Sequence, residues 1–90
     1  MIREFHIASL VVHCRPDRVA SLEGTIAALP GADVPASDLA GKLVVILEST
    51  SEQTIARQLE EIGALPGVLS ATLVFHHVEP GVFEPQGAAR

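Results

Sequence analysis

The sequence contains no tryptophan, no tyrosine and only three phenylalanines, so it has few aromatic rings on which nucleic-acid bases could stack. Cations are also scarce, since six Lys and Arg stand against eleven Asp and Glu, for a net charge of −5. Nucleic-acid binding depends on neutralising phosphates with a clustered positive face. We therefore expect no nucleic acid among the partners of this chain and a better fit to a basic partner.

Disulfides and long apolar runs are missing as well. The single cysteine, Cys14, cannot form an internal disulfide, so nothing in the sequence requires an oxidising compartment. The longest uninterrupted apolar stretch runs from Leu43 to Leu47, whereas a spanning helix needs about 20 residues. Arg3, Glu4 and His6 interrupt the region where a secretory signal would have its apolar run. These features predict a cytoplasmic protein that does not insert into a membrane.

Aliphatic side chains are abundant for so short a chain, because 48% of its 90 residues are hydrophobic. That content excludes disorder, and the length leaves room for one domain. A chain of this size buries only about 60% of its unfolded surface. Some of the aliphatic material must therefore stay near the surface, where it forms a candidate binding site.

A tetrapeptide repeat organises the chain. Ala28 to Gly31 and Ala64 to Gly67 both read Ala-Leu-Pro-Gly, 36 residues apart. Around each copy the pattern indicates a strand, a helix, a Pro-Gly turn and a second strand. The order β-α-β-β-α-β with an internal repeat predicts an α+β, ferredoxin-like split βαβ fold. We expect one domain over residues 1–79 and a flexible C-terminal tail over residues 80–90, which are rich in Pro and Gly.

This topology predicts a four-stranded antiparallel sheet with strands one and three in the centre and both helices on one face. Pro35 lacks a ladder donor and favours an edge position for the second strand. The first helix is expected to begin at Pro16, and the second to be capped by Thr50 or Ser51. The four strands are expected at Phe5 to His13, Ala32 to Ala36, Lys42 to Glu48 and Val68 to Val78.

Alternation of side chains along the first and last strands separates two faces. The mostly apolar set is assigned to the core beneath the helices: Ala8, Leu10, Val12, Ala71, Leu73 and Phe75. The mixed set is assigned to the uncovered face: Ile7, Ser9, Val11, His13, Ser70, Thr72, Val74, His76 and Val78. Aliphatic anchors beside short hydroxyls suit the docking of an apolar helix or strand. A second copy of the chain, or water over scattered Val and Thr, would also satisfy the pattern.

Residues that could carry chemistry do not form a catalytic or metal-binding pattern. Antiparallel pairing brings at most two of the four histidines together, whereas a structural zinc site takes four ligands. Ser9 and His76 have no carboxylate placed beside them. Acylphosphatases share the predicted topology, yet Cys14-Arg15-Pro16 has one Arg and none of the glycines of an anion-binding loop. We therefore expect no metal, no cofactor and no enzymatic activity.

A family resemblance rests on several segments in order: Ser9 to Val12, Pro30-Gly31 with Asp33-Val34, Ser37-Asp38, Gly41 to Val45, and Pro66 to His76. Together they closely resemble the NapD family of periplasmic nitrate reductase assembly chaperones over about residues 5–79. The resemblance implies a cytoplasmic, ferredoxin-like chaperone for the twin-arginine signal peptide of the nitrate reductase catalytic subunit. It would hold that precursor back from export until the molybdenum cofactor is inserted.

Such a peptide has a basic start and an apolar, helix-prone stretch, which the net negative charge and the half-apolar open sheet would match. Our hypothesis assigns the docking floor to Ile7, Val11, Thr72 and Val74, polar contacts to Ser9 and His76, and a contact with the arginines to Glu48. The alternative is a stand-alone regulatory module of the ACT type, which would bind a small molecule at a subunit interface.

Overall fold

The structure is a computed structural model and describes residues 3–81 of the chain. Four strands and two helices follow one another in the predicted order. The strands are β1 (Arg3–Cys14), β2 (Ala32–Asp38), β3 (Lys42–Ser49) and β4 (Val68–Gly81), and the helices are α1 (Val19–Ala27) and α2 (Glu52–Gly63). A short 3-10 turn at Pro16–Arg18 leads into α1. The predicted start at Pro16 thus holds for this turn, and the α-helix begins three residues later.

The start of α2 has the predicted cap. The Ser51 side chain accepts a hydrogen bond from the Thr54 backbone N–H at 3.3 Å, which satisfies one of the unpaired donors of the first turn. Glu52 follows in that turn, where a negative charge is favourable against the helix dipole.

The two Ala-Leu-Pro-Gly copies form the same turn. In the first copy Leu29 N–H donates to the Ile26 carbonyl and Ala32 N–H to the Leu29 carbonyl. In the second copy Leu65 and Val68 make the corresponding bonds to Ile62 and Leu65. The glycine that closes each turn has a positive φ, 75° at Gly31 and 94° at Gly67, which is a backbone conformation that other residues rarely adopt. The sequence repeat is therefore a structural repeat that ends each helix in the same way.

The sheet has the order β2-β3-β1-β4, and all three pairings are antiparallel. The predicted ferredoxin-like topology with β1 and β3 in the centre is confirmed. Pro35 lies in edge strand β2, within a break in the β2–β3 register, where its missing N–H costs no ladder bond. β1 and β4 continue past the end of β3 as a two-stranded extension that includes the pair Phe5 and Glu79.

Both helices cover the same face of the sheet. α1 packs on β2 and β3, while α2 packs on β4, β3 and β1. The side chains they share with the sheet form one hydrophobic core, made of Ala8, Leu10, Val12, Cys14, Val19, Leu22, Ile26, Leu43, Val45, Leu47, Ile55 and Ile62. The opposite face of the sheet carries no described helix, and below it is called the open face.

A β-bulge in β4 overturns part of the predicted face assignment. Leu10 pairs with Leu73, but the next residue along, Ser9, pairs with Phe75, so Val74 is an extra residue. Residues that pair across an antiparallel ladder share a face, and Phe75 therefore lies with Ser9 on the open face. The prediction that Phe75 belongs to the core is wrong, and its side chain is 55% exposed. Leu73 is on the helix side but remains 43% exposed.

The last strand is longer than predicted. β4 continues through Gly81, three residues beyond the predicted end at Val78. The prediction of a flexible tail falls mostly on residues 82–90, which lie outside the described residues. Neither described helix is long and apolar enough to cross a membrane.

Candidate functional site

The open face is built by alternate residues of all four strands. Its members follow from the ladder pairings and the side-chain alternation, and among residues 4–79 they are Asp33, Ala36 and Asp38 in β2, Lys42, Val44, Ile46 and Glu48 in β3, Phe5, Ile7, Ser9, Val11 and His13 in β1, and Ser70, Thr72, Phe75, His77 and Glu79 in β4.

The centre of the open face is apolar. Val44 in β3 pairs with Val11 in β1, and Ile46 pairs with Ser9, which also pairs with Phe75 in β4. The side chains of Val11, Val44 and Ile46 are only partly covered. Because neighbouring strands lie about 4.8 Å apart, these three side chains and that of Phe75 form one continuous apolar surface, which is called the apolar floor below.

Most of the residues predicted to bind a partner do lie on this face. Ile7, Ser9 and Val11 project from β1, Thr72 pairs with Val11, and Glu48 pairs with Ile7. Val74 is the extra residue of the bulge and is 63% exposed. The structure thus places Ile7, Ser9, Val11, Thr72 and Glu48 on the open face and Val74 at the bulge, and their role in binding stays a prediction.

His76 does not lie on the open face, and the prediction that placed it there is wrong. It pairs with the core residue Ala8, and its Nε2 lies 3.1 Å from Nδ1 of His6, which is 6% exposed. The bulge at Val74 is the physical reason, because one extra residue reverses the alternation beyond it. His77 therefore takes the open-face position and stacks on Phe75 with ring centroids 6.1 Å apart.

Several open-face residues were missed at the sequence level. Val44 and Ile46 could have been found by applying the alternation rule to β3, where Leu43, Val45 and Leu47 point into the core. Phe75 and His77 carry no local signal, because the bulge depends on pairing with β1. Glu79 was expected just after the end of the last strand at Val78, although it lies in β4 opposite Phe5.

One end of the open face is acidic and contains a small cavity. Phe5, Ile7, Glu48 and Glu79 line this cavity, whose volume is about 170 Å³. The main chain of both glutamates is fixed by the strands. Glu48 N–H donates to the Gly31 carbonyl at 2.9 Å, and Glu79 is fixed in the β1–β4 ladder, with its Oε2 3.7 Å from His77 Nε2. The two acidic side chains therefore flank an apolar surface at a defined position.

The other end of the open face has a different charge. Lys42 pairs with His13 in β1 and with Asp38 in β2, so a cation and an imidazole lie beside one carboxylate. Between the two ends lie the apolar rows around Ser9 and Val11. The face is thus polar at both ends, with two carboxylates at the Glu48 end and a lysine beside a carboxylate at the other.

A second cavity, of about 410 Å³, lies on the opposite side of the molecule. It is a groove between the C-terminal ends of α1 and α2, and its lining residues are Thr25, Leu29, Glu61, Ala64 and Leu65. The whole sheet separates this groove from the open face. The two cavities therefore belong to different surfaces.

The arrangement is suited to binding. Within the part of the chain that the structure describes, no three or more His, Cys, Asp or Glu side chains are placed to hold a metal ion. Ser9 and His76, the pair considered above for nucleophilic chemistry, lie on opposite faces of the sheet. What the open face offers is an exposed apolar floor bordered by carboxylates, which fits an apolar segment that carries a positive charge at one end.

Comparisons with known proteins agree on one family. The family model described as NapD protein matches residues 5–80. Chaperone NapD of Escherichia coli (strain K12) is 31% identical over 80 residues, which cover 88% of this chain and 92% of that protein. Chaperone NapD of Paracoccus pantotrophus is 42% identical over 78 residues, which cover 87% of this chain and 69% of that protein.

A solved structure shares the fold. The solution structure of the E. coli Tat proofreading chaperone protein NapD superimposes with a TM-score of 0.75 at 29% identity, covering 93% of this chain and 84% of that one. The relatives are named chaperones, which is a non-enzymatic role, and this agrees with the expectation that the chain is not an enzyme. These findings favour the chaperone over the alternative ACT-like module. The chain belongs to the NapD family of chaperones.

Proposed function

We propose that this chain acts in the cytoplasm, where it binds the twin-arginine signal peptide of the periplasmic nitrate reductase catalytic subunit. Binding delays export of the precursor until the molybdenum cofactor has been inserted. The observation that carries the proposal is the open face, an exposed apolar floor with carboxylates at one end. The solved structure that shares this fold is that of a Tat proofreading chaperone, which supports the same assignment.

The two parts of the peptide match two parts of the open face. The apolar stretch lies over the floor formed by Val11, Val44, Ile46 and Phe75, and each aliphatic side chain it buries fully contributes about 1.5–3 kcal/mol. The basic start lies near carboxylates, which lower the free energy of the bound arginines. His76 is not part of the open face, because its ring lies against His6 on the helix side of the sheet.

The delay in export needs no covalent step. A peptide that lies on the open face has its apolar stretch covered, so the bound precursor is withheld from the export machinery. The withheld fraction depends on the concentration of the chaperone relative to its Kd, and release depends on the dissociation rate.

The proposal is tested by placing a charge in the floor. Phe75→Glu introduces a carboxylate at a position that is exposed in the free chain and covered by the bound peptide. Because a buried unpaired charge costs several kcal/mol, we expect this variant to bind the peptide about a hundredfold more weakly. Isothermal calorimetry with a synthetic twin-arginine signal peptide measures the affinity. Leu39→Glu is the matched control, because Leu39 is 81% exposed and lies between β2 and β3.

Folding and export complete this test. Both variants should keep the far-UV circular dichroism and the thermal midpoint of the parent chain, since both positions are exposed. In cells, the parent chain should slow export of a reporter that carries the signal peptide, and Phe75→Glu should restore it. Peptide affinity that is unchanged in Phe75→Glu, or equally reduced in Leu39→Glu, would contradict the assignment of the open face.

A further inference from the structure

The cavity at the acidic end of the open face has the size of a side-chain site. Its volume of about 170 Å³ lies below the roughly 300 Å³ at which small-molecule sites begin. It is also continuous with the apolar floor, because Ile7 lines the cavity and is two residues from Ser9 on the same face of β1. A group that enters this cavity can therefore belong to a chain that lies along the floor.

The lining has the chemistry that recognises an arginine. Phe5 offers an exposed ring on which a planar guanidinium stacks. Ile7 provides an apolar surface for the methylene stem of the same side chain. Glu48 and Glu79 supply carboxylates, which accept charge-assisted hydrogen bonds from the guanidinium N–H groups.

The two glutamates are carried by strands rather than by loops, so their backbone positions are fixed. The ladder fixes Glu48 opposite Ile7, and the turn at Gly31 anchors its backbone N–H. Glu79 lies opposite Phe5 in the β1–β4 extension. Because this backbone is already ordered before binding, only the two side chains lose conformational entropy when the ligand arrives.

We propose that this cavity receives an arginine side chain from the basic start of the bound peptide and thereby fixes the direction in which the peptide lies. The inference rests on the proposed function, because it takes a peptide on the open face as given. With the basic start in the cavity, the apolar stretch runs over the rows of Ser9 and Val11 toward Lys42 and His13. The reverse direction brings the arginines to an end where Lys42 offsets the charge of Asp38, so that end lacks the surplus of negative charge that Glu48 and Glu79 provide.

The cavity is tested first by calorimetry on the full chain. The probes are a synthetic peptide with two adjacent arginines before an Ala- and Leu-rich stretch, and matched peptides with two glutamines or two lysines in place of the arginines. In the double variant Glu48→Gln and Glu79→Gln, we expect the arginine peptide to bind about tenfold more weakly and the glutamine peptide to bind as it does to the parent chain. The lysine peptide, which lacks the planar fork, should bind the parent chain more weakly than the arginine peptide.

Asp38→Asn is the matched control, because it removes a carboxylate from the other end of the same face. We expect it to leave the affinity for the arginine peptide unchanged. An equal loss in this control and in the double variant would overturn the inference, as would an equal loss for the arginine and glutamine peptides. If the parent chain binds none of the peptides, the proposed function itself fails.

Direction is tested by NMR with a nitroxide label at either end of the arginine peptide. A label beside the arginines should broaden the amide signals of Phe5, Ile7 and Glu79, while a label at the far end should broaden those of Val11 and Val44. The opposite pattern, or equal broadening at both ends, would overturn the inference and leave peptide binding on the open face intact.

Discussion

At the scale of single residues, two adjacent histidines have separate surroundings. His76 faces the helix side, where its Nε2 lies 3.1 Å from Nδ1 of the buried His6. His77 faces the open side, where it stacks on Phe75 and lies near Glu79. Neighbours along a strand thus contribute to different layers of the molecule, and substitutions at the two positions have different consequences.

We predict that His76→Ala lowers stability and leaves peptide binding intact. The substitution removes the hydrogen-bond partner of His6 Nδ1, and a buried polar group without a partner costs about 1–3 kcal/mol. His77→Ala should change the free energy of unfolding by less than about 0.5 kcal/mol, because its ring is exposed, while it weakens binding of the twin-arginine peptide. Urea denaturation and calorimetry on both variants measure the two effects. A loss of peptide affinity in His76→Ala at unchanged stability would show that His76 belongs to the binding surface.

The sequence predicts the faces of β1 correctly and those of β4 only up to Leu73. Along β1, Ala8, Leu10 and Val12 are buried as expected. Along β4 the alternation reverses after Val74, because the bulge is created by pairing with β1 and not by the local sequence. Side-chain alternation predicts which residues are buried within an unbroken ladder. The prediction fails beyond a bulge, because the local sequence carries no signal for it.

At the scale of the elements, the glycines have distinct roles. Gly31 has a φ of 75°, and a side chain there would clash with the Glu48 carbonyl oxygen. Gly24 lies within α1, and an added Cβ would have no neighbour within 4 Å. Gly31 is therefore required by the turn that borders the acidic end of the open face, whereas Gly24 only lowers the helical stability of α1.

This difference predicts opposite effects for two identical substitutions. Gly31→Ala should destabilise the domain by about 1–3 kcal/mol. The alanine would be strained at this positive φ, and its Cβ would clash with the Glu48 carbonyl oxygen, which the β-strand holds in place. Gly24→Ala should stabilise it by about 0.5–1 kcal/mol through higher helix propensity. Thermal and urea unfolding of the two variants measures both values. Equal effects of the two substitutions would contradict the turn geometry.

The order of the helices and strands can be predicted from the sequence because local signals mark nearly every boundary. The two Pro-Gly turns end the helices, Ser51 caps α2, and Pro35 lies in an edge strand. The lengths of β1 and β4 are harder to predict. Their extension past β3 at Phe5 and Glu79 depends on the two strands pairing with each other, so the cavity between them could not be predicted.

At the scale of the whole molecule, the fold separates the hydrophobic core from the proposed binding surface. The helices and the core residues occupy one side of the sheet, and the apolar floor occupies the other. The excess of aliphatic residues in so short a chain is explained by this division, because the second apolar layer is not needed for the core. Which partner covers that layer is not encoded in the fold, since the same topology serves many functions.

The charge of the whole chain predicts a dependence on salt. The twin-arginine peptide should bind more weakly as ionic strength rises, because exposed charges are screened over about 8–10 Å at 0.1–0.15 M salt. The peptide with glutamines in place of the arginines should show little change. Calorimetry across a salt series measures both slopes. Equal slopes for the two peptides would contradict a contribution of the carboxylates to binding.

The extra residue at Val74 also has a consequence for comparing this chain with its relatives. A relative without the bulge would align only with a gap at this position, after which every later residue would keep the face that it has here. An alignment forced through without the gap would exchange the two faces of β4 and assign His76 to the wrong layer. In this strand, one inserted residue decides which of two neighbouring side chains lies on the helix side of the sheet and which lies on the open face.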